Sequence, residues 1–418
     1  MWGKLRLPND PPKTVQGLIN LACEFRGDIL SIIKAYKIWP AIQMKKIGDL
    51  IMLYNTYTRQ GVENFADLYN ECRSVVIHMP TAHIVAAARP IPARVSIRNA
   101  PSEGNFEVAY EGTNILVFNH FNKWYFSTTA CLSMDNSYFV KNLSHGAMFD
   151  EALGISRQEF TAGLDPTKVY SFTLVHHKNT KYTNYDAEFG PEYAKLICTG
   201  PSVENIPGPM QFDSVGDAIA YLEATPHAFG VISNSPKPIK ITNDAMMKRE
   251  EVHAGWDNEW SNLLHVYMLE RPDYTIHNYA SDFSVEANPD EAQQLIDTAM
   301  NAVADKIWEY YQNTTNYVLG DERYTMTSAQ MTVDASLGQT MRFQLAQLRV
   351  LQTRHRRHEY VTREFVGYYL RHYRLVREVS KLMKHMASYA MFKDEPCDEA
   401  IVRLGNCLSR GGIKRVID

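Results

Sequence analysis

The chain has 418 residues, of which 45% are hydrophobic and 22% charged, and its formal net charge is −4. This length allows two or three domains with substantial cores, and the composition is typical of a soluble globular protein. The small negative charge excludes a uniformly basic nucleic-acid coat, although a local basic patch remains compatible with it.

The cysteines and the apolar runs indicate where the protein is kept. Six cysteines stand at positions 23, 72, 131, 198, 397 and 407, without any C-x-x-C pair. This spacing argues against a zinc site and against a disulfide framework. The first 15 residues, MWGKLRLPNDPPKTV, lack the apolar core of a signal peptide, and no apolar run approaches the roughly 18 residues of a membrane span. We therefore expect a cytoplasmic protein without a membrane partner.

The pattern of apolar and polar residues divides the chain into stretches of different secondary structure, and the main change is from strands to helices. Residues 14–36 repeat apolar side chains at helical spacing, and Pro40 ends that pattern. Residues 50–245 contain short alternating runs separated by Gly, Pro and Asn, which predict strands. These runs are RSVVIHM, HIVAAARP, NILVFNHF, KWYFSTTA, VYSFTLVHH and FGVISNS. Asn288-Pro289-Asp290 predicts a helix start, and from there the pattern is helical almost to the end.

These patterns predict an α+β fold with three parts. We expect an N-terminal arm and helix over residues 1–49, a strand-rich domain over 50–280, and an all-helical C-terminal domain over 281–418. The boundary between the last two is placed near residue 280, and no internal repeat or low-complexity linker interrupts the chain.

Short motifs in the strand-rich part follow a recognisable order. The stretch YNECRSVVIHM contains E-C-R ending at Arg73, AARP supplies Arg89 and Pro90, and the glycine corner is Glu111-Gly112. This order resembles the opening of the phage-type RNA ligases that repair nicked tRNA, in which an E-C-R-G strand, an R-P element and a lysine-bearing K-x-D-G motif follow one another. The resemblance implies an antiparallel-rich nucleotidyltransferase core.

The resemblance continues downstream. FTLVHHKNTKY is similar to the family's F-E-F-V-x-P-x-N-R-I-V strand and keeps Phe172, Val175 and Asn179. AFGVISNSPKPIKITND is similar to its E-G-Y-V strand followed by F-K-I-K, and it keeps Gly230 and Lys240. The helical tail also matches the family, in which an all-helical domain follows the core.

The positions that carry the chemistry in these ligases differ here. The lysine that attacks the α-phosphate of ATP corresponds to Ala109, which has no nitrogen lone pair. The acid of the next core strand corresponds to Thr173, the metal-binding acid of E-G-Y-V to Phe229, and the second lysine of F-K-I-K to Thr242. Threonine and phenylalanine cannot replace carboxylates around a hard cation. The resemblance therefore implies a degenerate site without catalytic residues, metal or cofactor, in which ATP or Mg²⁺ would bind only residually.

Four residues match the nucleotide-binding part of the motifs and form a possible remnant: Arg73, Glu111, Gly112 and Lys240. Each has a simpler interpretation. Arg73 can be explained as half of a buried ion pair. Glu111-Gly112 can be explained as a turn at the end of a strand with a solvated acid, and Lys240 as a surface lysine. His176 and His177 alternate along a strand, so we do not expect both to ligate one metal.

The C-terminal part contains a concentrated basic stretch. Residues 342–384 carry eleven Lys and Arg against three Glu. At helical spacing, an apolar stripe that includes Val379 and Met383 lies opposite a basic stripe. The basic stripe comprises Arg356, Arg363, Arg374, Arg377, Lys381 and Lys384. Such a stripe attracts RNA or another polyanion through counterion release, whereas a solvated helix face is the ordinary alternative.

Three functions remain open on this basis. The first is an RNA ligase-like pseudoenzyme kept as a structural or assembly scaffold, with other phage or virion proteins as partners and a place in a virus particle, because a fold can outlive its chemistry. The second is an RNA-binding or tRNA-binding module without transfer activity. The third is a ligase of altered chemistry that seals RNA ends already adenylylated by another enzyme.

Overall fold

The structure is a computed structural model in which the chain divides into two compact units, Met1–Met247 and Lys248–Asp418. It describes residues 8, 10–24, 28–39, 41–56, 62–140, 142–225, 227–235, 237–253, 258–283, 285, 287–319, 363–372, 376–393 and 398–409. The division lies earlier than the change near residue 280 that the sequence pattern suggests. The reason is that helices between residues 244 and 282 contribute Leu263, Leu264 and Tyr279 to the core of the second unit.

The first unit is rich in strands, as the alternating runs predict. Its strands are β1 (Ile42–Ile47), β2 (Leu50–Asn55), β3 (Val75–His78), β4 (His83–Ala86), β5 (Ala93–Ser96), β6 (Phe106–Val108), β7 (Thr113–His120), β8 (Lys123–Thr128), β9 (Tyr138–Val140), β10 (Leu143–Ser144), β11 (Val169–His176), β12 (Ala194–Cys198), β13 (Gln211–Phe212), β14 (Val231–Ser233) and β15 (Ile239–Thr242). Each of the six predicted runs contains one of these strands, and the mixed α and β character is confirmed.

Helices are found in both units. They are α1 (Val15–Glu24), α2 (Ile29–Ala35), α3 (Ala66–Glu71), α4 (His145–Leu153), α5 (Arg157–Ala162), α6 (Asp186–Phe189), α7 (Val215–Ala224), α8 (Asp244–Val252), α9 (Glu259–Leu269), α10 (Ile276–Asp282), α11 (Pro289–Leu319), α12 (Arg363–His372), α13 (Val376–Lys393) and α14 (Glu399–Ser409). Helix α11 begins at Pro289, and the Asn288 side chain accepts hydrogen bonds from the first turn. This confirms the predicted helix start.

The strands form three larger sheets. The first sheet has the order β1-β2-β3-β4, the second β12-β11-β7-β8 and the third β13-β6-β14-β15-β5, while β9 and β10 pair separately. Among the described strands every pair is antiparallel, except that β15 runs parallel to β5. This antiparallel content agrees with the sequence prediction.

The N-terminal helices belong to the core of the first sheet. Leu18 of α1 and Ile33 of α2 are buried against Leu53 and Ile77 of that sheet. The described helices α1 and α2 therefore share the core of the first sheet. On its other face the first sheet packs against the second, where Phe118 of β7 lies in a shared apolar cluster.

The second and third sheets each bury one face under helices. Phe149 of α4 packs against Phe172 of the second sheet, and Leu222 of α7 packs against Val231 and Ile241 of the third. Because side chains alternate along a strand, the neighbours of these core residues point to the opposite faces. Those opposite faces carry the polar residues of the candidate site.

The second unit is helical throughout its described part, with one continuous apolar core. Helices α13 and α14 approach so closely that a Cβ on Gly405 would lie 2.5 Å from the carbonyl oxygen of Met383. Only glycine fits that crossing. In the described ranges, no helix is long and apolar enough to cross a membrane.

Candidate functional site: a covered lysine between two sheets

One face of the third sheet gathers the residues that the motifs single out. Val231 and Ile241 pair and point into the core under α7. The alternate positions Glu107 and Lys240 both pair with Ile232 and therefore share the opposite face. Thr242, two residues beyond Lys240, lies on the same face. The local alternation of apolar and polar residues thus places the polar set away from the core.

Ala109 lies one residue beyond β6, on this face. Its N–H donates a hydrogen bond of 2.9 Å to the carbonyl oxygen of Gly230. Gly230 has a φ of +142°, and a Cβ there would lie 2.8 Å from Cε of Lys240 and 2.7 Å from the carbonyl oxygen of Ile241. Glycine is required because the lysine stem passes directly over it. Ala109, Gly230 and Lys240 are therefore neighbours.

Lys240 is buried beneath an aromatic ring. Its Nζ lies 3.0 Å from the ring centroid of Phe229, and only 6% of the residue is exposed. Burial holds the pKa of the Lys240 amine well below its usual range, the positive charges of Arg94 and Arg73 lower it further, and Glu111 acts in the opposite direction. The surface interpretation of Lys240 is wrong.

Two further residues that the motifs single out, Thr242 and Thr173, lie near this corner. Thr242 is fully buried, and its hydroxyl finds no hydrogen-bond partner among the described residues. Thr173 of β11 lies against the glycine corner, since a Cβ on Gly112 would be 3.0 Å from Cγ2 of Thr173 and 2.2 Å from the carbonyl oxygen of Leu174. The close approach of the two chain segments thus requires glycine at position 112.

Glu111 is not a solvated acid. It is 7% exposed, and its carboxylate accepts hydrogen bonds from the backbone N–H groups of Lys181 (2.5 Å), Tyr182 (2.8 Å) and Thr183 (2.8 Å), and from the Thr183 hydroxyl (2.7 Å). Its own N–H donates to the Tyr185 hydroxyl at 2.7 Å. Glu111 therefore fixes the loop that follows β11, and the solvated-turn interpretation is wrong.

A small polar pocket opens beside this corner. Arg89 donates to the carboxylate of Glu107 at 2.6 Å, and Gln211 donates to the other oxygen of that carboxylate at 3.1 Å. The loop around Thr199 closes the opposite wall, and the space is about 200 Å³. The pocket joins the third sheet to the end of the second. Arg73 is half-buried, and its charge reaches Lys240.

His176 and His177 lie side by side at the end of β11. Among the described residues no group of three or more His, Cys, Asp or Glu side chains could hold a metal ion. The rings of His176 and His177 stack at 4.4 Å between centroids, so the expectation that they point to opposite faces is wrong. The reason is that β11 ends at His176, and His177 leaves the strand.

The structure describes the side chains of only part of the basic stripe. Arg356 and Arg374 lie outside the described residues, as does the side chain of Arg377. Lys381 is exposed and Lys384 half-buried on α13. Arg363 of α12 pairs with Asp305, with Nη2 3.0 Å from Oδ2. Val379 and Met383, which the helical spacing places on the apolar stripe, are fully buried.

Several residues of the corner escape the sequence motifs. Arg94 of β5 pairs with Lys240 across the parallel strands, and Glu107 and Gln211 meet although 104 residues separate them. Alternation along β6 could have placed Glu107 on the same face as Ala109. No local signal identifies Arg94 or Gln211, because their positions depend on the order of strands in the third sheet.

Comparison with known proteins gives distant structural likenesses. The chain matches an archaeal ATP-dependent RNA ligase (form 2) with a TM-score of 0.36 and 13% identity over 63% of this chain and 73% of that one. It matches form 1 of that ligase with a TM-score of 0.34 and 13% identity over 63% and 72%. A putative ATP-dependent DNA ligase from Aquifex aeolicus gives 0.33 and 12% over 67% and 81%. These values are too low to assign a family or an activity.

By sequence, no protein-family profile and no curated protein matches the chain. The chemistry of the site is therefore inferred from the residues of this chain.

The role of Glu111 can be tested by removing its charge. In Glu111→Gln, one acceptor oxygen becomes an NH₂ group that faces backbone donors of the loop at 181–183. We expect the free energy of unfolding to fall by about 2–3 kcal/mol, measured by urea denaturation. Glu103→Gln is the control, because Glu103 is exposed, and it should leave stability unchanged. Equal stabilities of the two variants would show that Glu111 does not hold the loop.

Proposed function

We propose that this chain is an RNA ligase-like protein of the nucleotidyltransferase type that no longer transfers nucleotides and is kept as a binding or assembly scaffold. The observation that carries the proposal is the covered lysine: Lys240 lies under Phe229, next to Ala109 at the position of the nucleophile. The order of the motifs and the two-sheet corner where they meet support the ligase-like interpretation.

Covalent transfer needs an amine with a free approach to the α-phosphate. Ala109 offers no such group. The lowered pKa of Lys240 would favour a nucleophilic neutral amine, but the Phe229 ring covers it at 3.0 Å. A phosphate could reach the amine only after that ring moved.

Metal assistance is also weakened. Phosphoryl transfer depends on a divalent cation held by carboxylates close to the reacting phosphate. Thr173 and Phe229 provide no carboxylate at the two positions where the resemblance expects one, and Glu111 is committed to the loop at 181–183. Residual ATP or Mg²⁺ binding would therefore be weak.

Labelled ATP tests the proposal. After incubation with α-labelled ATP and Mg²⁺, we expect no covalent nucleotide on the protein, and Ala109→Lys should not restore ligation of nicked RNA, because the metal and nucleotide remain unheld. An active RNA ligase serves as the positive control. Adenylylation mapped to Lys240, or ligation by Ala109→Lys, would refute the loss of transfer.

A ligase of altered chemistry is less favoured by the same residues. Sealing of pre-adenylylated ends needs no lysine nucleophile, yet it still needs a held metal or another group to stabilise the developing charge. The buried hydroxyl of Thr242 and the ring of Phe229 offer neither. The same gel assay, supplied with pre-adenylylated RNA, should therefore give no product.

A scaffold needs partners, and the phage-type resemblance points to other phage or virion proteins, with the protein in the host cytoplasm or in a virus particle. A polynucleotide is the second candidate. It is favoured by Lys381, which is exposed on α13, and by the positive charge of the sequence around it. Phosphates would contact such a stripe without sequence preference.

The salt dependence of RNA binding distinguishes a polynucleotide partner from a protein partner. If the stripe binds RNA, the triple variant Arg374→Gln, Arg377→Gln and Lys381→Gln should bind more weakly and reduce the slope of log K against log salt by about 2. The matched control replaces three lysines of the first unit, Lys168, Lys195 and Lys237, by Gln and should keep the slope. Unchanged binding in the first variant would exclude the stripe and favour a protein partner.

A further inference from the structure

The hairpin between β7 and β8 ends in an exposed aromatic residue with an unfavourable backbone. Phe121 and Asn122 form its two-residue turn, with φ of +51° and +59°. Turns of this kind favour Asn-Gly, and a bulky side chain at positive φ is a steric outlier. Such backbone strain is retained mainly at functional sites. Phe121, the residue with the strained backbone, is 77% exposed.

Two histidines support the exposed ring. The Phe121 centroid lies 4.1 Å from that of His120 and 5.3 Å from that of His78, and the two histidine rings lie 4.7 Å apart. His120 lies two residues after Phe118 and therefore on the same face of β7, and His78 likewise lies on the same face of β3 as Val76. His78 is buried and His120 half-buried, so Phe121 is the ring of this group that reaches the surface, at the edge where the first and second sheets meet.

Two lysines lie over tyrosine rings of the same two sheets: Nζ of Lys123 is 5.1 Å from the ring centroid of Tyr125, and Nζ of Lys45 is 5.6 Å from that of Tyr54. Lys123 pairs with His120 across the hairpin, His83 pairs with His78, and Lys45 lies opposite Met52 on the same face of the first sheet. Lys45 and Lys123 are both exposed. Asp49 lies in the turn between β1 and β2, and its carbonyl oxygen accepts a hydrogen bond from the N–H of Met79. Lysines beside aromatic rings favour a polyanion that carries planar bases.

We propose that this ring cluster (His78, His120 and Phe121) with Lys45 and Lys123 binds single-stranded nucleic acid, with a base stacked on Phe121 and the lysines near the phosphates. Aromatic faces beside positive charge are the usual elements of such sites, and stacking needs no particular sequence. A single ring offers little area for insertion into a lipid surface, which favours a nucleic acid over a membrane. The surface depends neither on the covered lysine nor on the basic helix.

The test measures binding of a fluorescein-labelled oligouridine at low salt. Phe121→Asn should weaken binding about 10-fold or more while its melting temperature stays equal or rises, because Asn accepts positive φ. Opposite changes in binding and stability exclude damage to the fold. Phe121→Trp should keep binding and show quenched emission on addition of the oligonucleotide. Tyr138→Asn is the control, since Tyr138 is 60% exposed on β9, and its affinity should not change.

Two results would overturn the proposal. One is binding by Phe121→Asn that equals that of the parent, or a parent that does not bind oligouridine. The other is association with phosphatidylserine vesicles that depends on Phe121 in the absence of oligouridine binding, which would make the site a lipid contact. The oligouridine measurements are made in the Arg374→Gln, Arg377→Gln, Lys381→Gln background, so that binding through the basic stripe does not mask the effect of Phe121. Neither readout depends on nucleotide transfer, so failure here leaves the proposed loss of transfer intact.

Discussion

The desolvation of one amine governs the candidate site. Placing an ammonium group in a protein interior costs several kcal/mol unless charge partners compensate, and the surroundings of Lys240 include Arg94 and Arg73 as well as Glu111. Burial therefore lowers the pKa of the Lys240 amine, which the Phe229 ring covers.

The glycines and the buried acid follow from this packing. Gly230 leaves room for the stem of Lys240, and Gly112 allows the turn to approach the Leu174 carbonyl. Glu111 then holds the loop at 181–183 against the same turn. Gly112, Gly230 and Glu111 thus have packing and hydrogen-bonding roles in the fold that do not require nucleotide transfer.

Much of the fold follows from local patterns. Alternation predicts the strands, and Asn288-Pro289 predicts the start of α11, because both signals arise from neighbouring residues. The burial of Lys240 could not be predicted, since it depends on the pairing of β15 with β14 and β5. The partners of Glu111 lie about seventy residues along the chain, and the division at residue 247 reflects packing of α9 and α10 that periodicity alone does not reveal. The strained turn at Phe121 carries no sequence signal for positive φ.

The burial of Lys240 can be measured through the pH dependence of stability. Because its pKa is lowered in the folded chain, the unfolded chain binds a proton that the folded chain lacks, from the lowered value up to the ordinary 10.5. The stability of the parent relative to Lys240→Met should therefore rise with pH between the lowered pKa and 10.5, by up to about 1.4 kcal/mol per pH unit. Lys237→Met, at an exposed position, should show no such change. Parallel curves for the parent and Lys240→Met would contradict a buried neutral amine and reopen the site to phosphate.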